Sequence, residues 1–357
     1  MLLYLQELLF TSCLQLSSFA LTISGMNYRI LGKTGYKVSE VSLGTWQVGG
    51  GWGQPFNNTT AERILNEAID EGVNFLDTAD VYDGGLSEAA VGRVAQQRNK
   101  GGKHPVLVAT KCGRWINPHT SEGYTPEVLK GFVEKSLKNT GLETLDLIQL
   151  HCPPAPVYSR PEIFGLFDDL KKEGKIQALG VSVETVDEAL TAMKYQNVCT
   201  VQIIFNMFRQ KPADLLFTEA QRNNVGIIVR VPLASGLLTG RFSSHTQFHP
   251  QDHRFYNREG AAFDKGETFS GVDYETGLKA VDELKKALPH RPNLAAAALR
   301  WILMFDQVSC IIPGASTPEH VQWNVLADHE PPYTEAELKD VKKIYDEHIR
   351  PLVHHLW

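Results

Sequence analysis

Four residues carry the most chemically suggestive pattern in this sequence. Asp77 ends the apolar run Val73–Asp77, Lys111 ends Val106–Lys111, His151 ends Leu145–His151, and Tyr82 follows shortly after Asp77. A phenol ionises near ~10, too high for easy proton transfer at neutral pH. A neighbouring ammonium favours the phenolate and so lowers that value, and a carboxylate can hold the ammonium in place. An imidazole can donate a hydrogen bond that orients a substrate oxygen. The set suits proton transfer to or from a substrate oxygen. No serine elbow, HExxH motif or carboxylate-rich metal set stands beside it, so no metal is expected. A Schiff base on Lys111 is the competing chemistry, and it gives Tyr82 and Asp77 nothing to do.

These residues need elements that bring them together. The runs Val41–Thr45, Val73–Asp77, Val106–Lys111, Leu145–His151, Ile176–Ser182, Val201–Phe205, Gly226–Val231 and Val308–Pro313 are mostly continuous and β-branched. That is the pattern of parallel strands buried on both faces. Between them lie amphipathic stretches with helix-start signals. Thr59…Glu62 and Thr185…Glu188 read as capping boxes, and Thr125-Pro126 and Thr317-Pro318 as cap-plus-proline starts. Gly72, Gly141 and Gly174 fall where helices should stop.

The alternation predicts one (β/α)8 TIM barrel, an α/β fold whose active-site face is formed by the C-terminal strand ends. An open doubly wound sheet would want a G-x-G-x-x-G turn after an early strand, and Leu43-Gly44-Thr45-Trp46 does not supply it. Before the barrel, Gly32 and Gly35 predict a short hairpin over Tyr28–Val38. Residues 240–272 read as a long loop at the barrel mouth. The expected organisation is a leader over 1–25, a single barrel domain over 26–345 and a tail over 346–357.

The whole chain has 357 residues, 43% hydrophobic and 21% charged, enough for a large core. Lys plus Arg number 35 against 41 Asp plus Glu, a net charge of −6 without basic runs, so no nucleic-acid partner is expected. The five cysteines are widely spaced without a CxxC pair, which fits a reducing compartment and a cytoplasmic location. The leader is apolar but lacks a basic start and is interrupted by Glu7, a poor match to a signal peptide or a membrane span. No membrane partner is expected.

With its motifs taken together, the chain resembles the aldo-keto reductases. The resemblance rests on Asp77, Tyr82, Lys111 and His151, and on Leu43-Gly44-Thr45-Trp46, Phe75-Leu76-Asp77-Thr78-Ala79, Gly85-Leu86-Ser87-Glu88-Ala89-Ala90-Val91-Gly92, Val108-Ala109-Thr110-Lys111, Pro232 to Gly240 and Ile312-Pro313-Gly314. It runs from about Met26 to near Tyr345. It implies an NAD(P)-dependent oxidoreductase that moves a hydride between nicotinamide and the carbonyl or alcohol carbon of an aldehyde, ketone or sugar. Tyr82 would be the general acid and base, Lys111 would tune it, Asp77 would orient Lys111, and His151 would position the substrate oxygen. The alternative within the same family is a regulatory barrel like the potassium-channel β subunits, which acts through a protein partner.

The resemblance also implies a cofactor set. Gly44, Thr45, Trp46 and Asp77 would lie at the nicotinamide end, Ser182 and Gln202 would bond its carboxamide, and Arg230 would replace the usual stacking aromatic. Pro232, Leu233, Gly236, Leu238, Gly240 and Arg241 would cover the pyrophosphate, and Gly314, Ser316, His320 and Asn324 would reach the adenosine. Val183 stands where an Asn is common, and Trp323 where an acidic residue is frequent. The segment Gly314–His320 lacks the Lys or Arg that often grips a 2′-phosphate. The cofactor is NADP or NAD, with NADP slightly ahead because Arg241 can compensate. Trp46, Trp115 and Phe208 are expected to wall the substrate pocket, since aromatic faces suit a sugar or an aldehyde body. Oligomeric state is left open.

Overall fold

The computed structural model describes residues 25–101 and 105–357. The leader expected over 1–25 lies outside them except for Gly25. A two-stranded antiparallel hairpin, β1 (Tyr28–Ile30) and β2 (Lys37–Ser39), precedes the barrel, as the two glycines predict. Eight parallel strands follow: β3 (Leu43–Gly44), β4 (Phe75–Asp77), β5 (Leu107–Cys112), β6 (Leu145–His151), β7 (Ile176–Ser182), β8 (Val198–Ile204), β9 (Gly226–Arg230) and β10 (Val308–Ile311). Each hydrogen-bonds the next in chain order. Parallel bridges Val41–Ile311 and Gly44–Gly314 join β10 to β3 and bring the ring to near closure.

Between the strands run α1 (Asn58–Asp70), α2 (Leu86–Asn99), α3 (Pro126–Thr140), α4 (Pro161–Lys172), α5 (Val186–Ala192) and α6 (Leu216–Arg222). After β9 come a short α7 (His253–Tyr256), then α8 (Tyr274–Ala287) and α9 (Leu294–Leu303). After β10 come α10 (Pro318–Val325), α11 (Glu335–Ile344) and α12 (Arg350–Val353). The caps at Thr125, Thr185 and Thr317 are present, Thr185 with Glu188 as a full capping box. The first expected box is not. Asn57, rather than Thr59, caps α1 by accepting from the Thr60 amide, because an Asn carbonyl already reaches an orphan donor of the first turn.

Side chains alternate along each strand, and this alternation builds the site. Phe75, Leu107, Ala109, Leu147, Ala178, Ile228 and Cys310 face inward and fill the barrel, with Leu31 and Val38 of the hairpin region plugging its lower end. Gly32 is required there. Its φ is +49°, and a Cβ would lie 2.1 Å from the Gly226 amide nitrogen. Further up, two residues beyond Phe75, Ala109, Leu147 and Ile228, the same inward parity delivers Asp77, Lys111, Gln149 and Arg230 to the top, with His151 two residues beyond Gln149 and Gln202 arriving from β8. The intervening residues, among them Leu76, Val108, Cys112, Ile148, Leu150 and Val229, join the larger core beneath the helices.

The 240–272 stretch is mostly irregular, as expected, broken by α7 and 3-10 turns at Lys265–Glu267 and Phe269–Gly271. The tail beyond 345 packs back on that loop. The Trp357 indole donates to Asp264 Oδ1 at 3.0 Å and lies 4.1 Å from the Arg209 guanidinium.

Candidate active site

A cavity of about 330 Å³ opens at the C-terminal face of the barrel. Its floor is a buried polar cluster. Lys111 Nζ donates to Asp77 Oδ1 at 2.5 Å, to the Thr78 carbonyl at 2.8 Å and to Tyr82 Oη at 3.3 Å. An ammonium has three donors, so all are committed and its direction is fixed. Asp77 Oδ2 accepts from Gln149 Nε2 (3.0 Å) and Gln202 Nε2 (2.8 Å). The carboxylate is thus held from three strands. Burial alone pushes Lys111 down, but Asp77 and Tyr82 more than offset this and leave it above its usual value.

Tyr82 differs from the sequence-based expectation in one respect. Lys111 does pull its pKa down, but burial outweighs that pull and the net value lies above 10.0. The phenol is a protonated acid at neutral pH. Trp46 lies over it, 6.0 Å between ring centres at 18°, and also stacks on His253 at 5.0 Å.

His151 is neutral. Burial, then the charges of Arg114, Lys111 and Arg230, hold it well below 6.5. Its Nε2 lies 3.3 Å from Arg114 Nη1, while its Nδ1 is buried without a partner. Arg114 Nη2 also donates to Glu267 Oε1 at 2.8 Å. Arg230 pairs with Glu184 at 2.8 Å and lies 3.7 Å from Glu267. Burial raises Glu267, but Arg114 and Arg230 overcome it and bring it to about 2. Burial sends the neighbouring Glu184 the other way, with the Glu267 charge adding to the rise. The Cys152 thiol and the Glu184 and Glu267 carboxylates converge as metal-ligand types would, but the Arg230 guanidinium already supplies the cation there.

The far end of the cleft is different. The Arg241 guanidinium lies 4.0 Å from the centre of the Trp323 ring. Ser316 Oγ lies 3.2 Å from His320 Nδ1, and Asn324 Nδ2 donates to the Gly314 carbonyl at 3.2 Å. Burial and then Arg241 lower the pKa of His320. Along the wall between the two ends, Val231, Ala234 and Ser235 have positive φ of 51°, 47° and 54°. Such strained non-glycine backbone persists where a binding surface needs it.

Of the residues singled out from sequence, Gly44, Thr45, Trp46, Asp77, Tyr82, His151, Gln202, Arg230, Pro232, Leu233, Gly236, Arg241, Gly314, His320 and Asn324 line this cavity. Lys111 lies just beneath, against Asp77 and Tyr82. Ser182 and Leu238 are fully buried behind the lining, and Gly240 instead caps a turn, its carbonyl accepting from Lys285. Ser316 reaches the cleft only through His320. Gln202 is less available than expected, since its amide nitrogen is spent on Asp77 and Gln149.

The expected aromatic wall is corrected. Trp115 is 47% exposed and points away, its Nε1 on the Asp80 carbonyl, and Phe208 is buried in the outer core. Neither is in the lining. The chain turns at Gly113, whose φ is +104° and whose Cβ would meet the Tyr124 ring at 2.7 Å. That turn sends Arg114 toward His151 and Trp115 outward. Besides Tyr82, the aromatic wall is formed by Trp46, Trp52, Phe242, His253 and Trp323. Sequence reasoning missed Arg114, Glu184, Glu267 and His253. Arg114 and Glu184 follow strand ends, Glu267 closes a single 3-10 turn and His253 opens the four-residue α7, all in stretches too short or irregular for periodicity to signal direction. The fixed cysteines Cys112 and Cys152 are buried and free.

The chain matches the aldo/keto reductase family over residues 40–346. It is a member of that family, an oxidoreductase that works with a nicotinamide cofactor on carbonyl or alcohol carbons. It is 28% identical to the NADH-specific methylglyoxal reductase of Escherichia coli, covering 83% of this chain and 92% of that protein. It is 25% identical to an aldo-keto reductase [NADP(+)] of Schizosaccharomyces pombe, over 82% and 84%. Its fold superposes on a glycerol dehydrogenase from Gluconobacter oxydans with a TM-score of 0.71, at 29% identity, covering 90% and 96%.

The cleft has donors to offer such a cofactor. Trp52 Nε1 and Arg230 Nε are buried without partners in side chains that line it. Arg241, His320 and Asn324 supply polar and cationic groups at one end. The residues fit an elongated, acceptor-rich, anionic ligand. No helix among the described residues is long and apolar enough to cross a membrane.

Proposed function

We propose that this chain reduces small aldehydes, ketones or sugars, or oxidises the matching alcohols, with Tyr82 as the proton donor and acceptor. The bound nicotinamide supplies or takes the hydride. Tyr82 Oη gives its proton to the substrate oxygen during reduction and removes it during oxidation. Lys111 stabilises the phenolate left behind, because its charge lies 3.3 Å from that oxygen. Asp77 fixes Lys111, and Gln149 and Gln202 fix Asp77. Trp46 covers Tyr82 and excludes water from it. His151, which lines the same cavity, positions the substrate.

The observation that carries this reading is the convergence of Lys111 on Asp77, Thr78 and Tyr82 at the cavity floor. The names of the relatives support small carbonyl or polyol substrates, and the aromatic faces of Trp46 and Trp52 suit them. Arg241 supports a preference for NADP, because it brings to the His320 end the cation that the segment 314–320 lacks. The four cysteines among the described residues are buried and free, which supports a reducing, cytoplasmic location. The test is fluorescence titration of the protein with NADPH and NADH, followed by turnover of methylglyoxal, glyceraldehyde and glycerol. Binding with turnover that Tyr82→Phe removes is the expected result. Binding of neither cofactor would overturn it.

A further inference from the structure

The Trp357 indole is joined to the segments that carry both acidic neighbours of Arg230, Glu184 at 2.8 Å and Glu267 at 3.7 Å. The side chain is only 6% exposed. Its Nε1 donates to Asp264 Oδ1 at 3.0 Å. The same oxygen accepts from the Gly266 amide at 2.7 Å and so caps the turn that ends at Glu267. On its other side the ring lies 4.1 Å from the Arg209 guanidinium, and Arg209 Nη2 donates to the Glu184 carbonyl. Arg209 Nε and Nη1 are buried without a hydrogen-bond partner. The indole face therefore supplies attraction that this cation lacks elsewhere.

The segment Asp264–Gly271 is shaped to receive that ring. A Cβ at Gly266 would lie 2.9 Å from the indole, and one at Gly271, where φ is +75°, would overlap it. Between these glycines, Phe269 and Ser270 have positive φ of 51° and 58°. Such backbone persists only where its surroundings over-determine it. Three side chains from distant parts of the chain do so. Ser235 Oγ donates to the Glu267 carbonyl and accepts from the Phe269 amide, both at 3.0 Å. Asn206 Nδ2 donates to Ser270 Oγ at 2.8 Å. The third is Trp357.

Glu267 lines the cavity that holds Tyr82, and its charge adds to the rise in the Tyr82 pKa. The proton-transfer group is fixed by other means. Lys111 bonds Asp77 and Thr78, and Gln149 and Gln202 bond Asp77, all across barrel strands and their ends. We propose that Trp357 is a positioning residue for substrate binding, holding the Asp264–Gly271 segment from behind so that Glu267 completes the cavity wall. It touches neither the substrate nor the cofactor. Its effect falls on substrate affinity, while the strand-borne group keeps its rate. This inference rests on the proposed function in one respect, because turnover is the means of reading it.

The test compares Trp357→Ala, Trp357→Phe, Phe164→Leu and Tyr82→Phe in the full chain, with methylglyoxal as substrate. Folding is checked by thermal melting, and NADPH and NADH binding by fluorescence. Trp357→Ala is expected to raise KM by about tenfold with kcat within about threefold and cofactor Kd unchanged, the signature of lost uniform binding. Trp357→Phe keeps a ring over Arg209 but has no N–H for Asp264, so its KM should fall between. Phe164 stacks on Tyr195 at 3.8 Å and is buried away from the cleft. Phe164→Leu should therefore lower the melting temperature and leave KM unchanged.

A second readout needs no turnover. Arg254, Arg258 and Lys265 are trypsin sites in the 240–272 stretch. Trp357→Ala should be cut there faster than the wild type at a temperature where both are folded, because the segment has lost one of its supports. KM within about twofold of wild type in Trp357→Ala, or in Trp357→Phe where the alanine variant does not fold, would overturn the proposal and leave the Tyr82 reading intact. A KM rise of equal size in Phe164→Leu would overturn it too, since KM would then follow general stability. Cleavage at the wild-type rate would show that Trp357 does not hold the segment, which also overturns it. Turnover retained in Tyr82→Phe would instead overturn the underlying reading.

Discussion

At the reaction end of the cleft, Lys111, Arg114 and Arg230 each have a carboxylate within hydrogen-bonding distance, at 2.5, 2.8 and 2.8 Å. At the other end, Arg241 rests on the Trp323 indole and has no carboxylate partner among the described residues. The first end is buried and its charges cancel in pairs. Removing one partner strands the other in a place where water cannot solvate it. The second end keeps a net cation in a more accessible place, so its charge is available to a ligand. One end is built for fixed geometry and a defined protonation state, the other for selecting what binds.

This contrast can be broken or sharpened by substitution. The largest effect is expected for Lys111→Met. It should lower turnover by about 100- to 10,000-fold, the range for losing an acid–base group. It should also cost about 3–5 kcal/mol of stability, because Asp77 is left buried without its cation. Adding Asp77→Asn should recover most of the melting temperature and none of the activity. If Lys111→Met melts like the wild type, the paired-charge account of the reaction end is wrong.

Glu267→Gln comes next. It removes the anchor of Arg114 and a neighbour of Arg230, and should cost about 3 kcal/mol in denaturant unfolding. KM for methylglyoxal should rise, because Glu267 lines the cavity that holds Tyr82. An unchanged KM would separate Glu267 from substrate positioning.

Arg241→Ala should behave in the opposite way. Its melting temperature should stay near the wild type, since no buried partner is stranded. NADPH affinity should fall by about tenfold or more, equivalent to the ~1.5–3 kcal/mol of a hydrogen bond to a charged group, while NADH affinity stays the same. Equal losses for both cofactors would show that Arg241 does not read the 2′-phosphate.

The smallest effect concerns pH. Tyr82 is held above 10.0 by burial, so it stays protonated below that value. As the acid in reduction it must carry its proton, so kcat for reduction should be flat from about pH 6 to about pH 9 and fall only above. His151, held well below 6.5, adds no limb in that range. A limb near pH 6.5 in kcat would mean that His151 titrates during the reaction.

The strand-borne part of this site was legible in the sequence. Asp77, Lys111 and His151 end apolar runs, and period-two alternation carries each of them to the inside of the barrel. The loop-borne part was not. Arg114 and Trp115 are neighbours after the same strand, and residue type alone favoured the tryptophan as a pocket wall. The left-handed turn at Gly113 decides otherwise, and a turn's direction cannot be read from its composition. Glu267 sits in a stretch with no periodicity, held in place by Trp357 and Arg209 contacts that join distant parts of the chain. The net pKa of Tyr82 was misjudged for a similar reason. A nearby lysine can be inferred from motif spacing, but the depth of burial that outweighs it cannot.

The central claim is that Tyr82 moves the proton on a site preset by Lys111. Its most direct measurement is rapid-mixing reduction of methylglyoxal by Tyr82→Phe saturated with NADPH, followed by cofactor absorbance. The account predicts normal NADPH affinity and melting temperature with oxidation of the cofactor slowed by about 100-fold or more. Cofactor oxidation at the wild-type rate would contradict it.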